Sequence, residues 1–597
     1  MIFAPLGLKP PATSIERHAD GSLVLSSDLA PLKPSATLIE LFEAAEAAAP
    51  EAPFLSEPSP SGWSTISYGD FMRASRALAV WLLGRPEGRS GRPLAILSGN
   101  SVHHAIATIG ACMIGKPVAP VSPAYSLMSK DFERLGTVLA IARPDLFFVE
   151  DLVPFETALK ALGVSGEKVV GRLNAQAEND ISIICAANSG IALDLDRPAI
   201  GPDTIAKLMF TSGSTGVPKC SVQSHRMLCH QIAATEALEI HDTRGDGTVL
   251  LDWLPWSHIA GGNMCMNRVV YRRGHLHIDA GRPFPGMYHH TIEALKHVRP
   301  TEFMSTPVGF QMLAQALETE DGLAAAFFSR IRSMSSGGAA LAADTFERIQ
   351  TAAGRARGCK IPFTTVYGAT EVQSVAMVHW LSDATGAIGG PLPGVQLRLR
   401  PVAGKYALDV KAQTVSPGYI GPEGNIVPVP MPDGYFETGD AARLADPEHP
   451  ELGLVFDGRL AENFKLRTGT WVDVAAVRKG ILDAAGGLLS DCVVCGVNED
   501  FVGVLGFPGA SASPEGLADL GARIESYNGS AGGSSNRVAR FLMLTSPPAF
   551  DAQEVTDKGY INQQRVRECR ADQVQRLFAA APDAEIVCIE QPVAAAQ

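Results

Sequence analysis

Nine residues, Thr211 to Lys219, read TSGSTGVPK directly after the apolar run LMF. Glycines let backbone N–H groups turn toward an anion, Ser and Thr hydroxyls add donors, and Lys219 can neutralise charge on a polyphosphate. The loop lacks the Gly-Lys-Ser/Thr ending of a P-loop, and a lone Gly/Ser/Thr segment is more often a plain turn. Four segments downstream give it weight. DWLPWSH, Asp252 to His258, sets Trp and Pro around a strand end and follows them with a histidine. YGATE, Tyr367 to Glu371, comes after the strand-like FTTV; a base can stack on Tyr367 while Glu371 holds a hard cation through oxygen. YFETGD, Tyr435 to Asp440, puts an aspartate at a turn, where it can accept from both hydroxyls of a ribose. GRLAENFKLRTGTWVD begins with Gly458 and sets Arg459 beside an acidic residue at a change in sequence character.

Alternating strands and helices must position these segments. PLAILSG, SVHHAIATIGACMIG, PVAPVSP and DLFFVE read as strand, helix, strand and strand. Beyond the phosphate loop VLLDWLP reads as a strand, Tyr288 to His297 as a helix, EFMSTP as a strand and Ala339 to Ala353 as a helix. Such alternation predicts an α/β body of mostly parallel sheets covered on both faces. Residues 389–458 change to short strands rich in Gly and Pro, which suits a small barrel-like β subdomain. The expected division is an N-terminal domain over 1–461 and a smaller α+β C-terminal lid over 462–597. Thr37 to Ala49 reads as a helix within an N-terminal wrapping segment, and NGSAGGSSN, Asn528 to Asn536, as a flexible loop.

Composition narrows the function classes. With 597 residues, 46% hydrophobic and 19% charged, the chain can bury several cores. A net charge of −13 argues against wholesale attraction to nucleic acid or anionic membranes, so an anionic nucleotide must be held by local groups. No apolar run reaches the roughly 18 to 20 residues that span a bilayer, and the start MIFAPLGLKPP lacks a basic region followed by an apolar stretch, so a cytoplasmic protein is expected. The ten cysteines sit mostly in apolar segments, as buried thiols do in a reducing compartment. Cys492 and Cys495 form a CxxC inside CVVCGV with no second pair at zinc spacing, and read as buried thiols on a strand. The pairs His103-His104 and His289-His290 also lack partners at ligand spacing and read as helix-surface or interface residues.

In their order and distances the five segments resemble those of the acyl-adenylate-forming superfamily, which includes acyl-CoA synthetases, luciferases and peptide-synthetase adenylation domains. The resemblance runs from about Leu38 to Arg570, and LDWLPWSH with GGN after it, FKLRTGTWV and TDKGYINQ look most like the feruloyl-CoA synthase group. It implies that Thr211, Ser212, Gly213, Ser214, Thr215, Gly216 and Lys219 wrap the β- and γ-phosphates of ATP. Tyr367 and the Gly368 backbone would hold adenine, Thr370 would touch the α-phosphate, Glu371 would bind Mg²⁺, and Asp440 with Arg459 would hold the ribose. His258 matches the position near the reacting carboxylate. Candidates for the acid pocket are Trp256, Gly261, Gly262 and Asn263, and Gly337, Gly338 and Ala339, where paired glycines leave room for a flat ring.

The same resemblance implies two steps: the carboxylate attacks the α-phosphorus of ATP to give an acyl-adenylate and pyrophosphate, and the CoA thiol then expels AMP to leave a thioester. The C-terminal lobe rotates between them, with the pivot falling on Glu462. Two departures stand out. Where most members carry Thr-x-x-Gly-Lys, this chain reads Thr556-Asp-Lys-Gly-Tyr560; tyrosine cannot oppose carboxylate and phosphate charge, so Lys558 is taken as the adenylation lysine. VSPGYIGPEG, Val415 to Gly424, has Ile420 where Trp is usual, at what is expected to be the surface of the β subdomain. The expected activity is an acid–thiol ligase for a hydroxycinnamate such as ferulate. The alternatives are a ligase for other aryl or medium-chain acids, an enzyme loading a carrier protein, and a degenerate binder of nucleotide or acyl-adenylate. Residues 571–597 are too few for a carrier domain, which favours CoA as acceptor. The partners implied are an aromatic carboxylic acid, ATP, Mg²⁺ and CoA, with no nucleic acid and no membrane span; a homodimer is left open.

Overall fold

The computed structural model describes the chain except residues 174–176, 194–197, 212–217, 285, 403, 510–511, 532, 557–558, 560 and 590–597. Leu94–Ile96 and Val118–Pro120 are short and wholly buried, and they pair in parallel at the heart of an eight-stranded sheet. Leu146–Asp151 and Val169–Arg172 extend it on one side, while Ile205–Thr211 and Lys219–Ser224 extend it on the other. Helix Val102–Cys112, between the first two strands in sequence, starts where the Ser101 hydroxyl accepts from the His104 N–H at 3.0 Å. Thr37 caps Leu38–Ala48 in the same way, accepting from the Glu40 N–H at 3.2 Å; each such cap contributes about 1 kcal/mol.

A fifteen-stranded sheet faces the first, with a parallel centre of Val249–Asp252, His275–Ile278, Glu302–Ser305, Ser333–Gly337 and Phe363–Ala369. From Gln373–Met377 onward the order turns antiparallel and takes in Ala387–Pro391, Leu454–Arg459, Phe436–Leu444, Lys405–Lys411 and Gln396–Val402. The short strands expected after residue 389 thus extend this sheet, and the N-terminal hairpin of Thr13–Arg17 and Leu23–Ser27 adds itself to their far edge. A separate four-stranded sheet of Leu489–Cys495, Val502–Pro508, Val538–Met543 and Ile586–Cys588 packs with Val474–Ala485 and Pro514–Ser530 around its own core of Val477, Ile481, Val494, Val504 and Ile524. The body is mixed α/β, and the smaller C-terminal unit has its own sheet. Among the described residues no helix is long and apolar enough to cross a membrane.

Four expectations are corrected. The helix expected over Ala339–Ala353 runs from Ala343 to Arg357, because Gly338 takes φ +84° in a turn and Ala342 stays extended. Asn528 to Ser530 finish the helix from Pro514 instead of opening a flexible loop; the buried Asn528 amide donates to the Val538 carbonyl at 2.8 Å and accepts from its N–H at 2.9 Å. His104 is buried rather than on a helix surface, with its ring 5.1 Å from that of Trp256, and His103 pairs with Glu150 at 2.9 Å. Tyr419–Ile420 does not belong with the β strands around it in sequence: Tyr419 pairs with Ser221 at the edge of the eight-stranded sheet.

Candidate active site

Thr211 ends one strand and Lys219 begins the next, and the two residues are paired in register. The glycine-rich segment joins these two strands in sequence, and its residues Ser212, Gly213, Ser214, Thr215 and Gly216 lie outside the described residues. The exposed Lys219 ammonium stands 5.5 Å from the Tyr419 ring centre, and the Tyr419 hydroxyl donates to Glu371 Oε1 at 3.0 Å. The Glu371 carbonyl also accepts from the Ser416 N–H at 2.7 Å. The segment with Ile420 in place of Trp thus ties the phosphate hairpin to the YGATE turn. Nothing in the sequence assigns Tyr419 that place beyond its being the aromatic in Gly-Tyr-Ile.

The YGATE turn is fixed from below. A Cβ on Gly368 would lie 2.0 Å from the Gln373 carbonyl oxygen, so only glycine lets the chain double back, and Gln373 itself takes φ +59°. The Thr370 carbonyl accepts from the side chains of Gln223 at 3.1 Å and Gln373 at 3.4 Å. Both glutamine oxygens accept from the Asn263 amide, at 2.7 and 3.0 Å, and Asn263 Oδ1 accepts from the Lys207 ammonium at 2.9 Å. Asn263, proposed from sequence as pocket lining, is the hub of a buried polar network that holds Thr370. Gln223, Gln373 and Lys207 escaped the sequence reading; the one signal was a lysine inside the apolar strand IAKLMFT.

Tyr367, 9% exposed, donates its hydroxyl to Asp440 Oδ2 at 2.7 Å, and Arg459 stands 3.6 Å from Oδ1. Burial raises the Asp440 carboxyl above its ordinary range against the pull of Tyr367 and Arg459, and burial raises the Tyr367 phenol as well. The carboxylate keeps lone pairs for two hydroxyl donors, as a ribose supplies. Tyr367 is thus bonded to the residue expected to hold the sugar, across 73 positions of sequence.

His258 lines a small cavity with Pro120, Val121, Ser122, Tyr125, Phe210 and Ser257. A second cavity is lined by Trp256 and Gly262 together with His104, Lys207, Asn267 and Pro120. Gly261 and Gly262 are required for a different reason than ring clearance: a Cβ on either would lie 2.2 Å from the Leu254 carbonyl oxygen or 2.3 Å from that of Trp256. They belong to the π-helical turn Ala260–Cys265, which folds tightly onto that backbone. Gly337 ends a strand of the large sheet, and Gly338 and Ala339 are exposed beyond it; none of the three lines either cavity. Glu462 follows Arg459 in a turn closed by its own N–H on the Arg459 carbonyl at 3.1 Å. Lys558 lies outside the described residues; of its described neighbours, the Gly559 N–H donates to the Thr556 carbonyl at 2.9 Å.

Mg²⁺ fits this donor set. Glu371 is a half-buried carboxylate with oxygens to offer, and among the described residues no group of three or more His, Cys, Asp or Glu gathers elsewhere for a metal. A hard cation held by one carboxylate and the phosphates of a nucleotide suits Mg²⁺.

Comparison with known proteins agrees with the geometry. The chain is 27% identical over 453 residues to an isonitrile lipopeptide synthase of Streptomyces coeruleorubidus, covering 72% of this chain and 27% of that protein. It is 25% identical over 314 residues to a 3-hydroxybenzoate–CoA ligase of an Aromatoleum strain, covering 50% of this chain and 54% of that one. The chain therefore spans a quarter to about half the length of these two curated relatives. The ATP-bound crystal structure of MatB from Rhodopseudomonas palustris superposes with a TM-score of 0.70 at 20% identity, over 90% of this chain and 99% of that one. The model of the AMP-binding enzyme family matches residues 42–420, more than half of the chain, and takes in the phosphate hairpin, the YGATE turn and Tyr419: the chain belongs to this family of adenylate-forming enzymes.

Proposed function

We propose that the protein is an AMP-forming acid–CoA ligase acting on a hydroxycinnamate such as ferulate. The observation that carries the reading is what gathers at the two ends of the YGATE turn: Tyr367 bonded to Asp440, which stands by Arg459, and Glu371 bonded to Tyr419, which stands by Lys219. Motifs far apart in sequence thus meet at the YGATE turn and supply an aromatic, a sugar-binding carboxylate, a metal-binding carboxylate and a phosphate-side cation. CoA as acceptor is supported by the 3-hydroxybenzoate–CoA ligase relative, and the hydroxycinnamate by the resemblance of DWLPWSH, GGN and TDKGYINQ to the feruloyl-CoA synthase group.

On this reading Lys219 opposes the charge of the leaving pyrophosphate, and Thr370, held by the Gln223–Gln373–Asn263 network, lies beside the α-phosphate. Asp440 fixes the ribose and His258 faces the carboxylate. When bound to Glu371, Mg²⁺ spreads phosphoryl charge. Lys558 approaches the reacting carboxylate from the C-terminal unit, which forms a lid over 462–597 with its pivot at Glu462.

Pyrophosphate and AMP release, measured with MgATP and ferulate, p-coumarate, caffeate, benzoate or octanoate, with and without CoA, tests this. AMP should form fastest with a hydroxycinnamate, need CoA for turnover, and collapse in Lys558→Ala. No turnover with any acid sinks the ligase reading, turnover that needs a carrier protein in place of CoA moves the acceptor, and an undiminished variant removes Lys558 from the site.

A further inference from the structure

Lys207 sits in the middle of the strand Ile205–Thr211 and is 5% exposed. Its ammonium donates to the Gly262 carbonyl at 2.7 Å and to Asn263 Oδ1 at 2.9 Å, and no carboxylate pairs with it among the described residues. An ammonium carries three donors, so one is left over. Burial pushes the group down only to about 8, which leaves it mostly charged at neutral pH. A buried cation without a counter-ion is costly.

The cavity beside it is lined by two more groups with unmet donors. The Trp256 indole N–H and the Asn267 side-chain N–H group have no hydrogen-bond partner among the described residues, although the two residues are 3% and 2% exposed. Thr108, whose hydroxyl donates to the His104 carbonyl at 3.0 Å, and His104 complete the polar lining. The His104 Nδ1 lies 2.9 Å from the Gly99 carbonyl, so the ring proton sits there and Nε2 is left as an acceptor; burial holds the ring neutral, its pKa lowered to about 4. Leu38, Phe42, Ile109 and Met266 supply apolar walls. The space, about 20 Å³, is the size of a water or a single hydroxyl.

Three unmet donors set against the His104 Nε2 acceptor, in an enclosure whose walls are mostly apolar, ask for a group that accepts strongly and donates once. We infer that this cavity is the distal end of the acid pocket and takes an oxygen substituent on the acid, best a phenolic hydroxyl that accepts from Lys207 and donates to His104 Nε2. The inference rests on the ligase reading and deepens it. The cavity lies next to the candidate site in two ways: Pro120 also walls the space at His258, and Gly262 and Trp256 border the turn that carries His258. An acid reaching from His258 to Lys207 displaces the side chains between the two spaces and the water that the donors otherwise hold. A second carboxylate on the acid could use the same ammonium, but it offers nothing to His104.

The test compares p-coumarate with 4-methylcinnamate, which has a methyl in place of the hydroxyl, and with 4-carboxycinnamate. Two readouts are taken on the full-length protein: kcat/KM for AMP release with CoA, and affinity for the free acid by calorimetry. Wild type should favour p-coumarate over the methyl analogue by about tenfold or more in both. Lys207→Met and Trp256→Phe should each reduce that ratio, the first to near one, and His104→Phe should lower p-coumarate while sparing 4-carboxycinnamate. Trp256→Phe keeps the ring and removes only the N–H, so it carries the test if Lys207→Met does not fold. A wild-type ratio near one, or a ratio unmoved by the variants, overturns the inference; preference for 4-carboxycinnamate reassigns the oxygen to a carboxylate. Binding preference without turnover would end the ligase reading and leave this one standing, while turnover without preference would do the reverse.

Discussion

Asp252 shows at the residue scale how far a motif can be read and where reading stops. It opens DWLPWSH and ends a strand, as its sequence suggests, but it is 2% exposed, and Oδ2 has no hydrogen-bond partner among the described residues. Burial raises its pKa to about 7, opposed by the Leu254 N–H on Oδ1 at 3.0 Å, by the Cys265 thiol and by Arg282, and helped by the charge of Asp279. The native state thus binds a proton that the unfolded chain releases near 4. The stability that Asp252 contributes in this way is fully present below about pH 4, falls as pH rises, and is lost above about pH 7. Asn imitates the protonated acid, so Asp252→Asn should match wild type near pH 4 and exceed it near pH 8 by up to about 4 kcal/mol. Urea unfolding at those two pH values checks this, and an equal gap at both refutes it. The types and order of Lys219, Tyr367, Glu371, Asp440 and Arg459 were legible because their chemistry is local to short motifs. Lys207, Gln223, Gln373 and Tyr419 were not, since each acts through a partner brought near only by folding.

Among elements, the helix Met266–Arg272 is anchored by charge as well as by packing. Arg272, 1% exposed, bonds Glu236 at 2.9 Å and Glu302 at 2.6 Å and also pairs with Glu239; Arg268 joins Glu302 at 3.0 Å. The cluster ties the helix His225–Glu236 to the strand Glu302–Ser305. Burial works to raise Glu302, yet Arg268 and Arg272 hold it at about 2. Its contribution to stability is present above about pH 4.5 and is lost as pH falls toward 2. Removing one partner strands the others, so Arg272→Met should destabilise by about 3–5 kcal/mol at pH 7, read by urea unfolding. A loss under about 1 kcal/mol would mean that the acids find other partners. Sequence periodicity located most strands and helices because apolar runs must be buried whatever their neighbours. It misplaced the helix after Gly338 and the fate of Tyr419–Ile420, whose positions depend on a turn conformation and on pairing with a strand about 200 residues earlier.

For the whole molecule the question is how the last unit meets the body. Phe550 packs on Tyr125 with ring centres 6.2 Å apart, the Lys130 N–H donates to Asp551 at 3.3 Å, and a Cβ on Gly559 would come within 3.7 Å of Phe284. Tyr125 also lines the His258 cavity, so the Phe550 contact lies on the candidate site's side of the molecule. If this pose serves the first chemical step and rotation serves the second, Phe550→Ala should slow pyrophosphate release by about tenfold. Transfer from a preformed acyl-adenylate to CoA should change by less than about twofold. Equal slowing of both steps would remove the link between this contact and the first step. All ten cysteines are unbridged; six are buried, and the two exposed ones, Cys569 and Cys588, both belong to the C-terminal unit. Burial raises the thiols of Cys112, Cys220, Cys229 and Cys495 to about 12 and pushes that of Cys492 far up as well, which keeps them from reacting. A maleimide dye would therefore mark the C-terminal unit of the unaltered protein in preference to its core, and the chain carries its own attachment points for testing by fluorescence whether that unit turns between the two steps.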